Sequence, residues 1–158
     1  MSGCPASGKS TWVRNRLDVN SEWISRDKVR FSLVSEDEEY FSREDEVFET
    51  FISWINQALA NPDIENIFID ATHLNKKSRD KMLYKLDKTN IGELNSVCFI
   101  TPLKVCLQRN EKRTGREKVP RSAVRRMFFS FSLTNPLYEN FSNIIFVDEN
   151  GNEVKAFE

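Results

Sequence analysis

Residues 3–11 read Gly3-Cys4-Pro5-Ala6-Ser7-Gly8-Lys9-Ser10-Thr11, a G-x-x-x-x-G-K-S pattern, and no other stretch restricts the possible folds as tightly. Consecutive backbone N–H groups curl around a phosphate only where no Cβ intrudes, so glycine is needed at the turning points. The chain has five glycines in 158 residues, and two of them stand at those positions, while Cys4, Ala6 and Ser7 keep the loop small. Lys9 is then placed to reach the β- and γ-phosphates of a nucleotide and Ser10 to offer its hydroxyl to Mg²⁺. Thr11 continues the helix that follows. Such a loop leaves the C-terminal end of a buried parallel strand. Only Met1 and Ser2 precede Gly3, so the expectation is a sheet whose first strand is missing.

The rest of the chain alternates short apolar runs with amphipathic segments, the pattern of an α/β domain with a mainly parallel sheet and helices on both faces. Strands are expected at 22–25, 66–70, 96–100 and 143–147. Each of the first two ends in or just before a carboxylate, Asp27 and Asp70. Helices are expected over 9–16, 27–34, 76–88, 103–113 and 122–133. The longest runs from a capping box of Ser42 and Asp45, through Val47, Phe48, Phe51, Ile52, Ile55 and Leu59, to the stop at Asn61-Pro62. Asn150-Gly151 predicts a terminal hairpin of 144–148 with 153–157. The whole chain, residues 1–158, reads as one P-loop NTPase domain, with residues 104–126 as a helical lid.

Charge is segregated. Residues 36–50 carry eight acids against Arg43 alone, whereas residues 104–126 carry nine bases against Glu111 and Glu117, a field that gathers anionic ligands. No apolar run approaches the ~20 residues of a membrane span and no signal-like segment opens the chain, which reads as a cytoplasmic protein without a membrane partner. Cys4, Cys98 and Cys106 have no metal-ligand spacing and read as reduced thiols. The single histidine, His73, cannot build a His-rich zinc site and reads as a structural hydrogen-bonder.

Sheet topology gathers the phosphate loop, Asp27 and Asp70 at the carboxyl edge of the strands. These are the parts phosphoryl transfer needs: a held and neutralised γ-phosphate, and a carboxylate to accept the proton of an attacking hydroxyl. Asp27 is placed for that base, or alternatively caps the helix it begins. Arg30, one turn on, faces either a substrate phosphate or the acidic segment. Asp70 is either a carboxylate acting on Mg²⁺ or its water, or the holder of a neighbouring arginine or helix terminus. Arg109, Arg113 or Arg116 would close over the transferring phosphate and exclude water.

Several motifs, in order and at similar spacing, resemble the phage polynucleotide 5′-hydroxyl kinases: the loop through Trp12, Ile24-Ser25-Arg26-Asp27 with Arg30, Thr72-His73-Leu74-Asn75 with Arg79, and Arg109-Asn110-Glu111-Lys112-Arg113 with Val119-Pro120. The resemblance runs from the loop to about residue 130. It implies ATP and Mg²⁺ as cofactors, held by residues 3–11 and Arg109. Within that set Lys9 is also catalytic and Ser10 is the metal ligand. It further implies Asp27 as general base on the 5′-hydroxyl, Arg30 on the 3′-phosphate of the acceptor, and Arg113 as the lid arginine of the transition state. Asp70 and Thr72 join Arg30 among the substrate-binding residues. Ala71 stands where that family has its acid, which here moves to Asp70, and no phosphatase domain follows. In this respect the chain also resembles the broader group of small P-loop kinases acting on metabolites or antibiotics. The expected partner is therefore a polynucleotide 5′-hydroxyl end or a small hydroxylated acceptor. A reading of another class is an ATP-binding switch or interaction module.

Overall fold

The computed structural model describes residues 1–154. Two parallel strand pairs form its centre. Strand β1 (Ser21–Ser25) lies beside β2 (Asn66–Asp70) with Ser21 opposite Asn66 and Ser25 opposite Asp70, and β3 (Asn95–Phe99) lies beside β4 (Asn143–Val147). Each strand came out within one residue of its expected start and end, because a short apolar run bounded by turn residues leaves little freedom.

Before the phosphate loop no strand forms among the described residues, and Met1 and Ser2 take up its place. The amino group of Met1 donates to the Ile69 carbonyl at 2.9 Å, and the Ser2 N–H donates to Val97 O at 2.8 Å. Ser2 O accepts from the Phe99 N–H at 2.8 Å, so Ser2 makes a single parallel bridge with Cys98. Met1 and Ser2 thus join the two halves of the sheet, in the order β1, β2, residues 1–2, β3, β4. Beyond this bridge the facing edges of β2 and β3 are separated by a cavity of about 530 Å³, lined by Ile67, Ile69, Leu83, Val97 and Ile145 among others. Strand β5 (Glu153–Val154) returns antiparallel to β4 through Asn150-Gly151, with Gly151 at φ 86°. The remainder of the expected return strand lies outside the described residues.

Helices cover both faces, and alternate residues of one strand show it. Ile67 and Ile69 of β2 pack on a core built from α3 (Glu44–Ala60), with Val47, Phe51 and Ile55, and from α4 (Lys76–Tyr84), with Met82. Phe68, pointing the other way, meets Trp12 of α1 (Lys9–Arg14) edge-on at 6.2 Å. A third cluster joins Cys4 to Cys106 and Leu107 of α5 (Leu103–Glu111) and Val124 of α6 (Arg121–Phe129), seating the loop against the lid helices. All three cysteines are buried and free.

Helix ends differ from expectation, α4 for one ending at Tyr84. Ser42 and Asp45 form no capping box. The N-cap is Arg43, which makes no side-chain cap bond but pairs with Glu46 at 2.6 Å, and three acids in the first turn complement the helix dipole. The box occurs at α4 instead, where Asn75 accepts from the Ser78 N–H and Ser78 Oγ accepts from the Asn75 N–H. Helix α6 stops at Phe129 because the following residues are held elsewhere: the Ser132 N–H donates to Leu74 O at 2.7 Å, and Arg79 donates to Ser132 O at 3.0 Å.

Arg79 is the clasp of this region. It pairs with Glu139 through two bonds of 2.6 and 2.7 Å, both side chains being 3% exposed. Removing one partner leaves a buried charge uncompensated, at a cost of about 3–5 kcal/mol. Glu139→Ala is therefore expected to lower the thermal midpoint by about 10 °C, and an unchanged melting curve would show the clasp to be dispensable.

Candidate active site

The phosphate loop is shaped by the two glycines the motif requires. A Cβ on Gly3 would lie 2.9 Å from both Phe99 Cβ and Ser7 Oγ, and Gly8 has φ 107°. Ala6, at φ 62°, also adopts the left-handed conformation, a strained choice for a residue with a Cβ that the sequence did not announce. Neighbours fix the loop: the Gly3 N–H donates to Thr72 O at 2.9 Å, and Thr101 Oγ1 donates to Ser7 O at 2.7 Å. Thr72, expected on the acceptor, thus acts through its backbone on the loop.

Lys9 is buried inside this cradle. Its ammonium donates to Gly3 O at 3.0 Å, Cys4 O at 2.9 Å and Ser7 Oγ at 3.4 Å. Burial lowers its pKa from the ordinary lysine value, against the opposing pull of the Asp70 and Asp27 carboxylates. Ser10 Oγ donates to Asp70 Oδ2 at 2.9 Å, which draws Asp70 to the loop. Two hard oxygens at the edge of a phosphate loop suit Mg²⁺. The same loop, the side chains of Arg109 and Arg113 and the turn 148–151 enclose a cleft of about 430 Å³. Arg109 spans it, donating to Ser7 O at 3.5 Å and Glu149 O at 2.5 Å, and Arg113 donates to Glu117 O at 3.3 Å.

Across from the loop, Asp27 stands exposed on α2 (Arg26–Leu33). It does not cap that helix; the N-cap is Ser25, whose hydroxyl accepts the Lys28 N–H at 3.4 Å. Arg30 lies on the same face, and Arg30 Nη1 donates to Asp27 Oδ1 at 2.5 Å. Its Nε donates to Glu44 Oε1 at 2.8 Å, while Glu44 Oε2 accepts Arg26 Nη2 at 2.9 Å. Arg30 thus pairs with the acidic segment, one of the two readings left open for it. Tyr40, from the connection between α2 and α3, contributes its hydroxyl to both Asp27 and Arg30. Sequence reasoning missed Glu44 and Tyr40, since nothing in a run of eight acids singles out one member as a partner of Arg30.

The lid reaches this region. A 3-10 turn (Gly115–Glu117) carries Arg116, which donates to Val34 O at 2.6 Å with its guanidinium 4.7 Å above the Phe31 ring. Buried Asn110 staples the lid loop by bonding both backbone groups of Val119, at 2.7 and 3.0 Å. Of the remaining bases, Lys118 and Arg121 pair with Glu111 on the outer surface.

His73 is buried at φ 40°; among the described residues its Nε2 finds no partner, and it bonds through its backbone carbonyl, which accepts from Ser2 Oγ at 2.9 Å and Arg79 Nη1 at 3.1 Å. Desolvation, reinforced by surrounding cations including Arg26, Arg79 and Lys9, holds its pKa well below 6.5. A base whose folded pKa is depressed leaves the unfolded chain binding more protons, so its contribution is complete above pH 6.5 and is lost as pH falls. Stability is expected to drop by up to about 1.4 kcal/mol per pH unit below 6.5 from this group. His73→Asn, which tolerates positive φ, should flatten the slope in denaturant titrations between pH 7 and 5. Equal slopes would remove His73 from the account.

Loop, sheet and carboxylates together define a P-loop nucleoside-triphosphatase fold. A family described as an AAA domain matches residues 1–134, and the chain belongs to that family. Of the solved structures similar to it, three illustrate the likeness. They are a gluconokinase from Sinorhizobium meliloti 1021 (21% identity, 93% of this chain and 79% of that one, TM-score 0.59), a sugar kinase from Janibacter sp. HTCC2649 (18%, 94% and 83%, 0.62), and Chaetomium thermophilum Kti12 in complex with ADP-AlF3 (16%, 93% and 86%, 0.64). Among the described residues no helix is long and apolar enough to cross a membrane, and no cluster of three or more His, Cys, Asp or Glu residues has metal-binding geometry.

Proposed function

We propose that this protein is an ATP-dependent kinase that phosphorylates a hydroxyl of a small polyhydroxylated acceptor, with Asp27 as general base. Lys9 and Arg113 hold and neutralise the γ-phosphate while Asp27 takes the acceptor's proton. The acceptor oxygen forms its bond to the γ-phosphorus as the bridge to the β-phosphate breaks, and ADP leaves. Ser10 and Asp70 would hold Mg²⁺, which supplies charge neutralisation at the phosphates when bound.

The observation that carries the choice of acceptor is the state of Arg30. It is 5% exposed and engaged by two carboxylates, Glu44 at 2.8 Å and Asp27 at 2.5 Å. An arginine so neutralised makes a poor grip for the 3′-phosphate of a polynucleotide, and the acids of residues 36–49 beside it repel a polyanion. A neutral sugar or nucleoside meets neither obstacle. The similarity in fold to a gluconokinase and a sugar kinase agrees with this reading. The order and spacing of the motifs from Gly3 to Pro120 favour the second reading, transfer to a 5′-hydroxyl polynucleotide end.

Labelled γ-phosphate transfer from ATP to a panel of sugars, sugar acids and nucleosides, alongside a 5′-hydroxyl oligonucleotide, separates the two. Label on a small acceptor and none on the oligonucleotide is expected. Label on the oligonucleotide alone overturns the small-acceptor reading. ATP binding with no transfer to any acceptor overturns the kinase and leaves an ATP-binding switch.

A further inference from the structure

A carboxylate has two oxygens, and a general base works best when one is pinned and the other is aimed. Asp27 has this asymmetry. Its Oδ1 accepts from Arg30 Nη1 at 2.5 Å and from the Tyr40 hydroxyl at 3.3 Å, while among the described residues no donor is bonded to Oδ2. Tyr40 is itself braced: its hydroxyl accepts from Arg30 Nη1 at 3.2 Å, and the Arg30 guanidinium lies 4.7 Å over its ring. Phe31 and Phe41 meet the ring edge-on at 6.3 and 4.7 Å. A tyrosine held on three sides with its hydroxyl on the base is more than a surface aromatic.

We propose that Tyr40 is a positioning residue for the general base, pinning Asp27 Oδ1 together with Arg30 so that Oδ2 faces the acceptor hydroxyl. The proposal rests on the reading of Asp27 as base. Burial and the Asp27 charge both raise the phenol's pKa, so Tyr40 keeps its proton as a donor at neutral pH. The other charges that face Asp27 are Arg30 and Arg26 on its own helix, Lys9 from α1, and Glu44 of α3 behind the two arginines. Tyr40 is the one neutral donor in this set, so removing its hydroxyl alters the base without altering formal charge.

Tyr40→Phe keeps the ring and its aromatic contacts, so a merely structural role would leave activity in place. It is expected to lower kcat by about three- to tenfold with KM for ATP unchanged. The ¹³C-carboxyl resonance of Asp27, compared between Tyr40→Phe and the parent protein, reads the same hydrogen bond without catalysis and should move in the variant. An unchanged Asp27 carboxyl resonance overturns the proposal whatever the activity. Full activity in Asp27→Asn overturns the assignment of the base instead, and the two failures are thereby distinct.

Discussion

Replacing Lys9 with methionine is expected to lower phosphoryl transfer by about 10²–10³-fold while leaving the fold as stable as before or more so. The two halves of that expectation share one cause. Lys9 is an ammonium 8% exposed whose pKa burial lowers, and its direct bonds are to two carbonyls and one hydroxyl with no carboxylate among them. A charge in that setting is costly to the folded chain, and a methionine of similar length fills the space without the desolvation penalty. The same charge is what a γ-phosphate needs most as the bond to the leaving group lengthens, so catalysis loses what stability gains. Labelled transfer and thermal unfolding measured on the same preparation check both halves. Retained transfer would remove Lys9 from the chemistry, and a large fall in melting temperature would mean that its bonds to Gly3 and Cys4 outweigh its desolvation.

What could be read in the sequence was local. The spacing from Gly3 to Ser10 encodes a loop whose geometry follows from where a Cβ is tolerated, and the clash a side chain at Gly3 would make with Phe99 and Ser7 is the physical content of that motif. Strands β1 to β4 were legible as apolar runs, and their carboxyl ends placed Asp27 and Asp70 on the correct edge. What was hidden depended on distant partners. The Ser10 to Asp70 bond spans 60 residues and that of Arg79 to Glu139 another 60, so no local rule predicts either. The early end of α6 follows from Leu74 and Arg79, not from its own residues, which would have continued the helix. Ser42 and Asp45 fitted a capping rule that Arg43 preempted. Met1 and Ser2 are too few to register as a strand, yet hydrogen bonds to Ile69, Val97 and Phe99 draw them into the sheet.

The acceptor side carries the second large effect. Asp27→Asn is expected to leave nucleotide binding near normal and to depress transfer by roughly 10²-fold or more, within the range ascribed to a positioned general base. The substitution is close to isosteric, and Arg30 keeps its bond to Glu44, so the helix and its packing should survive. Asparagine can hold Oδ1 in place for Arg30 and Tyr40, but its other arm is an amide that accepts no proton. The effect therefore falls on kcat and not on the affinity for ATP, whose proposed site lies across the cleft, at the loop and Arg109. Measured transfer rates with ATP affinity from calorimetry decide the matter. Weakened ATP binding with turnover preserved would place Asp27 with the nucleotide and return the identity of the base to another carboxylate of this edge, such as Asp70, which already holds Ser10 at 2.9 Å, or Asp148, which lines the cleft.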